Sequence, residues 1–184
     1  MLDVSRKPMS ADEFLAWAQG WAEGERYELD DGEPVRMASE RARHALAKGE
    51  VYRRLFAALQ DAGVQGQVFP DGMAVVIGER TVYEPDVLVR LGPPVDGDTV
   101  KITDPLLVVE VLSPSTGSLD TTTKLDGYFR VSSLRHYLIV NPTKRRLIHH
   151  ARDEAGTITT RILGDGPLRL DPPGIVLDGL FGPE

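Results

Sequence analysis

A chain of 184 residues is long enough for one ordinary domain and short for two. Its 41% hydrophobic and 27% charged residues fit a globular protein and argue against disorder, and the absence of cysteine excludes disulfides, thiolate metal sites and cysteine nucleophiles. A formal net charge of −7 disfavours indiscriminate binding to nucleic acid, so any such role needs a locally basic or metal-bearing site.

No apolar run approaches the roughly 18 to 20 residues of a membrane helix. Nor does the N-terminus carry the apolar core of a signal peptide, so no membrane and a cytoplasmic location are expected. Ser10-Ala-Asp-Glu13 has the form of a capping box and opens a short helix through Phe14, Leu15, Trp17 and Ala18. Arg26–Asp30 and Pro34–Met37, joined at Asp31-Gly32, predict a hairpin with a tight turn. Helical spacing of Ala42, Ala45, Leu46, Gly49, Tyr52, Phe56 and Leu59 predicts a long helix over 40–62, stopped at Gly63. Strands are expected at 65–69, 73–78 and 82–90, followed by a Gly-, Pro- and Asp-rich loop over 92–98.

Leu106-Leu-Val-Val-Glu-Val-Leu112 reads as an interior strand covered on both faces. Ser113-Pro114 ends it, and 118–131 predicts a helix weakened by Gly127. Three strands follow at 136–140, 146–150 and 157–163, with turns at Asn141-Pro142 and Asp153–Gly156. The Pro-rich tail, ending in Ile175-Val-Leu and Leu180-Phe181, is expected to pack back on the sheet. The order implies an α/β (α+β mixed) fold, a single domain over 1–184. Its parts are an N-terminal helix at about 10–20, a core at about 26–163 and a tail at about 164–184.

Glu110 stands in the middle of the most apolar strand, where a bare carboxylate loses its hydration at a cost of several kcal/mol. Protonation, a cationic side chain or a metal ion would relieve that cost; a strand end opening to solvent would avoid it. Alternation puts Leu106, Val108, Glu110 and Leu112 on one face. Asp86 follows Pro85 at the entry to Val87-Leu-Val89, where a bulge re-aims a carboxylate and a plain turn does not. Asp120, Lys124 and Tyr128, four apart, share a helical face beside the Leu125 and Phe129 stripe, although Asp120 and Lys124 also suit an exposed ion pair. Two carboxylates on neighbouring strands with one ammonium suit a divalent cation held by hard oxygen ligands, a constellation that serves phosphoryl chemistry.

Several segments carry a family resemblance: Tyr27-Glu-Leu-Asp-Asp-Gly32, His44, Pro85-Asp86, Val109-Glu-Val-Leu-Ser-Pro-Ser-Thr116, Asp120-x3-Lys124-x3-Tyr128 and Tyr137-Leu-Ile-Val-Asn-Pro142. Together they resemble the Uma2 family of restriction-endonuclease-like proteins, in the PD-(D/E)xK superfamily, over nearly the whole chain. The resemblance implies a mixed sheet flanked by helices and a Mg²⁺- or Mn²⁺-dependent endonuclease acting on DNA. It places Asp86, Glu110 and the Val111 carbonyl on the metal, with Asp86, Glu110, Lys124 and Glu28 as the catalytic set. Lys124 departs from the superfamily pattern, because the position two after the acid is Leu112. His44, Asp120 and Tyr128 are supporting candidates.

Two basic clusters suit a phosphate backbone or a solvated surface: Arg41, Arg43, Lys48, Arg53 and Arg54, and Lys144, Arg145, Arg146 and Arg152. No helix-turn-helix or zinc-finger signature is present to read sequence. The alternative functions are a catalytically silent interaction module of the same fold, or a hydrolase of another phosphoester. A homodimer, through strand 136–140 or the apolar termini, is expected as the commonest assembly.

Overall fold

A computed structural model of the chain describes residues 7–20, 25–112 and 118–181, and of 118–121 the backbone alone. The elements begin with α1 (Ala11–Ala18), β1 (Tyr27–Asp30), β2 (Glu33–Arg36) and α2 (Ala42–Asp61). Next come β3 (Gly66–Pro70), β4 (Ala74–Gly78), β5 (Thr81–Tyr83), β6 (Val87–Leu91), β7 (Lys101–Ile102), β8 (Leu107–Val111) and α3 (Ser118–Tyr128). The chain ends with β9 (His136–Asn141), β10 (Arg146–Arg152), β11 (Ile158–Leu163), β12 (Leu168–Leu170) and β13 (Ile175–Leu177). The capping box at Ser10 and Glu13 forms as expected. At the first hairpin Asp31 and Gly32 both take positive φ, the geometry for which Asp-Gly is selected.

Two sheets carry the fold: β2-β1-β5-β4-β7 and a mixed β11-β10-β9-β8-β6-β3, with β12 and β13 as a separate hairpin. In the six-stranded sheet β8 and β9 are parallel, joined through α3, and β6 runs antiparallel to β8. Alternation divides its side chains between two cores. Val87, Val89, Leu107, Val109, Val111, Leu138 and Val140 face α2 and the C-terminal hairpin. Leu88, Val108, Tyr137 and Ile139 face the other way, towards Tyr128, Phe129 and residues of β4 and β7. The parity expected along β8 therefore holds, and Glu110 belongs to the α3 face.

The run 82–90 is not one strand. Pro85, which has no N–H to donate, interrupts it; β5 joins the first sheet and β6 the second, and Asp86 stands at the switch. The tail closes into the β12–β13 hairpin, whose Leu168, Leu170, Ile175 and Leu177 join the core beneath α2. Strand β9 lies between β10 and β8 with His136–Val140 buried, so the self-pairing expected of 136–140 is unavailable. Gly127 weakens helix propensity for a packing reason: a Cβ there would stand 2.7 Å from the Tyr83 ring. No helix among the described residues is long and apolar enough to cross a membrane.

A chain of histidines fastens the C-terminal turn to the sheet. Arg161 can only donate, so His149 Nδ1, 3.0 Å away, accepts, and its Nε2–H donates to His136 Nδ1 at 2.9 Å. His136 Nε2–H is then left to donate to the Pro172 carbonyl at 2.6 Å. Both imidazoles are neutral in this arrangement, and both are buried.

Candidate functional site

The switch between the two sheets and the end of β8 bring four elements to one place. Asp86 enters from the break before β6, Glu110 and Val111 from the end of β8, His44 and Lys48 from α2, and Lys124 and Tyr128 from α3. Asp86 is 6% exposed, and its Oδ2 accepts the Val111 N–H at 2.6 Å. That bond ties the aspartate to the residue after Glu110.

His44 Nε2 lies 2.6 Å from the Val111 carbonyl and 3.7 Å from Asp86 Oδ2. A carbonyl only accepts, so Nε2 carries the proton in this arrangement. Moving that proton to Nδ1, 3.7 Å from Glu40 Oε1, would free a nitrogen lone pair towards Asp86 and the carbonyl. Glu40, His44 and Asp86 each present a ligand atom within 4.8 Å of the other two.

On the α3 side, Tyr128 donates to Glu110 Oε1 at 2.7 Å and Lys124 Nζ approaches the same oxygen at 3.2 Å. Lys124 also reaches Glu28 Oε1 at 3.0 Å, and that oxygen accepts the Glu84 N–H at 2.9 Å. The Tyr83 ring lies 5.5 Å from the ammonium, within cation–π range. Thus Lys124 is buried between two carboxylates rather than spread on the surface. Asp120 has its side chain outside the described residues, as do Ser113–Thr116.

Electrostatically the site holds more acid than its cations neutralise. Burial pushes the Glu110 carboxyl up to about 8, with Asp86 and Glu28 adding to the shift and Lys124 and Tyr128 opposing it. Burial likewise raises Asp86, against the Val111 N–H, Lys48 and His44. Glu40, His44 and Asp86, with the Val111 carbonyl beside His44, offer oxygen and imidazole donors suited to a hard divalent cation, the nitrogen inclining the set towards Mn²⁺ over Mg²⁺, and Glu110 is the neighbouring raised acid.

Lys48 was grouped by sequence with the surface cations but is only 6% exposed. Its ammonium binds Glu40, lies 2.7 Å from Asp71 Oδ2 and 3.4 Å from Asp86 Oδ1. Arg26 in turn clamps Asp71 through both guanidinium NH groups and pairs with Glu84 at 2.9 Å. Among the other cluster members Arg53 and Arg54 pair with Glu50, and Arg145 pairs with Asp165. Arg152 donates to the Phe129 carbonyl. Arg41, Arg43, Lys144 and Arg146 are exposed. Beside Glu40 opens a cleft of about 370 Å³ lined by Arg26, Arg36, Met37, Ala38 and Ser39.

Residues 11–178 match the profile of the Uma2 family, described as "Putative restriction endonuclease". The chain belongs to the Uma2 family. Two curated proteins of Synechocystis sp. are similar along almost their whole length. The uncharacterized protein slr1290 is 28% identical over 168 residues, covering 91% of this chain and 87% of that protein. The uncharacterized protein sll1609 is 27% identical over 169 residues, covering 90% and 93% respectively. Among solved structures, a protein of Anabaena variabilis described as a putative nuclease belonging to DUF820 superposes with a TM-score of 0.75 at 14% identity. The match covers 95% of this chain and 98% of that one, so the Uma2 fold here is shared with it throughout.

Proposed function

We propose that this Uma2 protein is a Mn²⁺- or Mg²⁺-dependent endonuclease that hydrolyses DNA phosphodiester bonds. The observation that carries the reading is the convergence of Asp86, the Val111 carbonyl and His44 at the strand end that also bears Glu110, whose carboxyl is pushed up to about 8 with Asp86 adding to the shift. Membership of a family described as "Putative restriction endonuclease" supports the reaction class. Asp86, Glu110, the Val111 carbonyl and His44 would hold the ion. When bound, the ion would acidify water and offset charge developing on the phosphoryl group.

The chain's own residues supply the rest. Asp86 is aimed by the Val111 N–H, and Glu110 is aimed by Tyr128. Lys124 places a fixed positive charge 3.2 Å from Glu110, where it can stabilise a phosphate oxygen or orient a water. Glu28 holds that ammonium from the other side and remains a supporting acid. Arg36 and Arg26 line the adjoining cleft, but each is already paired with acids, so with a net charge of −7 the attraction for a polyanion would come from the bound ion.

Incubating the purified protein with supercoiled plasmid and with single-stranded DNA tests the reading. Cleavage is expected with Mn²⁺ or Mg²⁺, and none with EDTA or after Asp86→Ala. A protein that binds the ion yet leaves both substrates intact would contradict it and favour a silent interaction module.

A further inference from the structure

The buried ammonium of Lys48 occupies a second place beside Asp86 where acids converge. Asp86 is used on both sides: Oδ2 meets the Val111 N–H and faces His44, while Oδ1 faces Lys48 at 3.4 Å. A carboxylate shared in this way is the bridging ligand that a two-ion phosphodiesterase needs, with its ions roughly 3.5–4 Å apart. Here the second lobe is already filled. Lys48 Nζ binds Glu40 and Asp71, so it sits beside two of the three groups, Glu40 and Asp86, whose ligand atoms converge with His44.

The ammonium is also fixed. Four methylenes tether it to α2, and its partner Asp71 is clamped by Arg26 across 45 residues of sequence. Swinging Lys48 out would leave Asp71, Glu40 and Asp86 without their shared cation in a half-buried pocket, which is unfavourable. A lysine carries one unit of charge where a second dication would carry two, and it cannot exchange with solvent. We propose that Lys48 stands in for the second divalent cation, so that this centre takes one ion per chain.

The inference rests on the metal-dependent reading above, and ion counting separates the two. Mn²⁺ binding to the full chain is measured by calorimetry and by electron paramagnetic resonance of free Mn²⁺. Wild-type protein is expected to bind one ion, and Lys48→Met to bind two, the second being lost again in Lys48→Met combined with Glu40→Gln. Glu40→Gln alone is expected to keep the count at one, because that carboxylate faces the ammonium. This single variant decides the matter if Lys48→Met fails to fold. Two ions in wild type falling to one in Glu40→Gln would overturn the inference while leaving the metal centre standing. A folded Lys48→Met that still binds one ion would also overturn it, and no ion in wild type would defeat the metal-dependent reading and this inference together.

Discussion

Glu110→Gln is expected to lower metal-dependent cleavage by about a thousandfold, or about 4 kcal/mol of transition-state stabilisation, without weakening the metal-free fold. With a carboxyl pushed up to about 8, Glu110 is mostly protonated at neutral pH when no ion is present. Glutamine reproduces that neutral form in size and keeps an oxygen to accept from Tyr128 and Lys124. Only the ionised state, which an ion would draw out, is lost. Thermal unfolding in EDTA is therefore expected to be unchanged or higher, and the Mn²⁺ affinity lower. Activity within tenfold of wild type, or a large fall in the unfolding midpoint, would contradict this division between fold and chemistry.

The same substitution is expected to expose an acid-labile fastening at the other end of β9. Burial pulls His149 down to about 3 and lowers His136 as well. The unfolded chain takes up these protons near pH 6.5 and the folded chain does not, so stability falls as pH drops from 6.5 towards 3. Each histidine contributes at most about 1.4 kcal/mol per pH unit. Glu110 has the opposite sign. Its folded form holds a proton up to about 8 while the unfolded form loses it near 4.5, so metal-free stability falls as pH rises between those values.

Between pH 4.5 and 6.5 the two trends oppose each other, and urea unfolding of wild type in EDTA is expected to vary little there. In Glu110→Gln that part of the opposing trend is gone and only the contribution of Asp86 remains, so stability is expected to fall by about 1 to 3 kcal/mol more than in wild type as pH drops across that window. Equal slopes in the two proteins would contradict the assignment. The physical target of the histidine protonation is the hairpin of β12 and β13, held at Pro172 by His136 and packed beneath the helix that bears His44.

Much of this was legible in the chain itself. The apolar run around Glu110 announced an interior strand, and period-two alternation placed the acid on the α3 face. The four-residue spacing of Lys124 and Tyr128 brought both to Glu110. What escaped was the other wall of the site. Glu40, just before α2, and His44 and Lys48 in its first turns are spaced by four residues, a signal available in the sequence, but a lysine in a run of arginines reads as solvated surface. Its burial depends on Asp71, and the fixing of Asp71 depends on Arg26, partners with no local spacing to betray them. The division of 82–90 between two sheets was hidden for a related reason. Pro85 marks an interruption, but long-range pairing of β5 with β1 and of β6 with β8 decides where each half goes.

Crystals soaked in Mn²⁺ and measured at the manganese absorption edge test the central claim most directly. The expected result is one anomalous peak in contact with Asp86, Glu110 and the Val111 carbonyl, with the His44 ring turned from hydrogen-bond donor to ligand. A map empty at that strand end at saturating Mn²⁺, with His44 still bonded to the carbonyl, would contradict it.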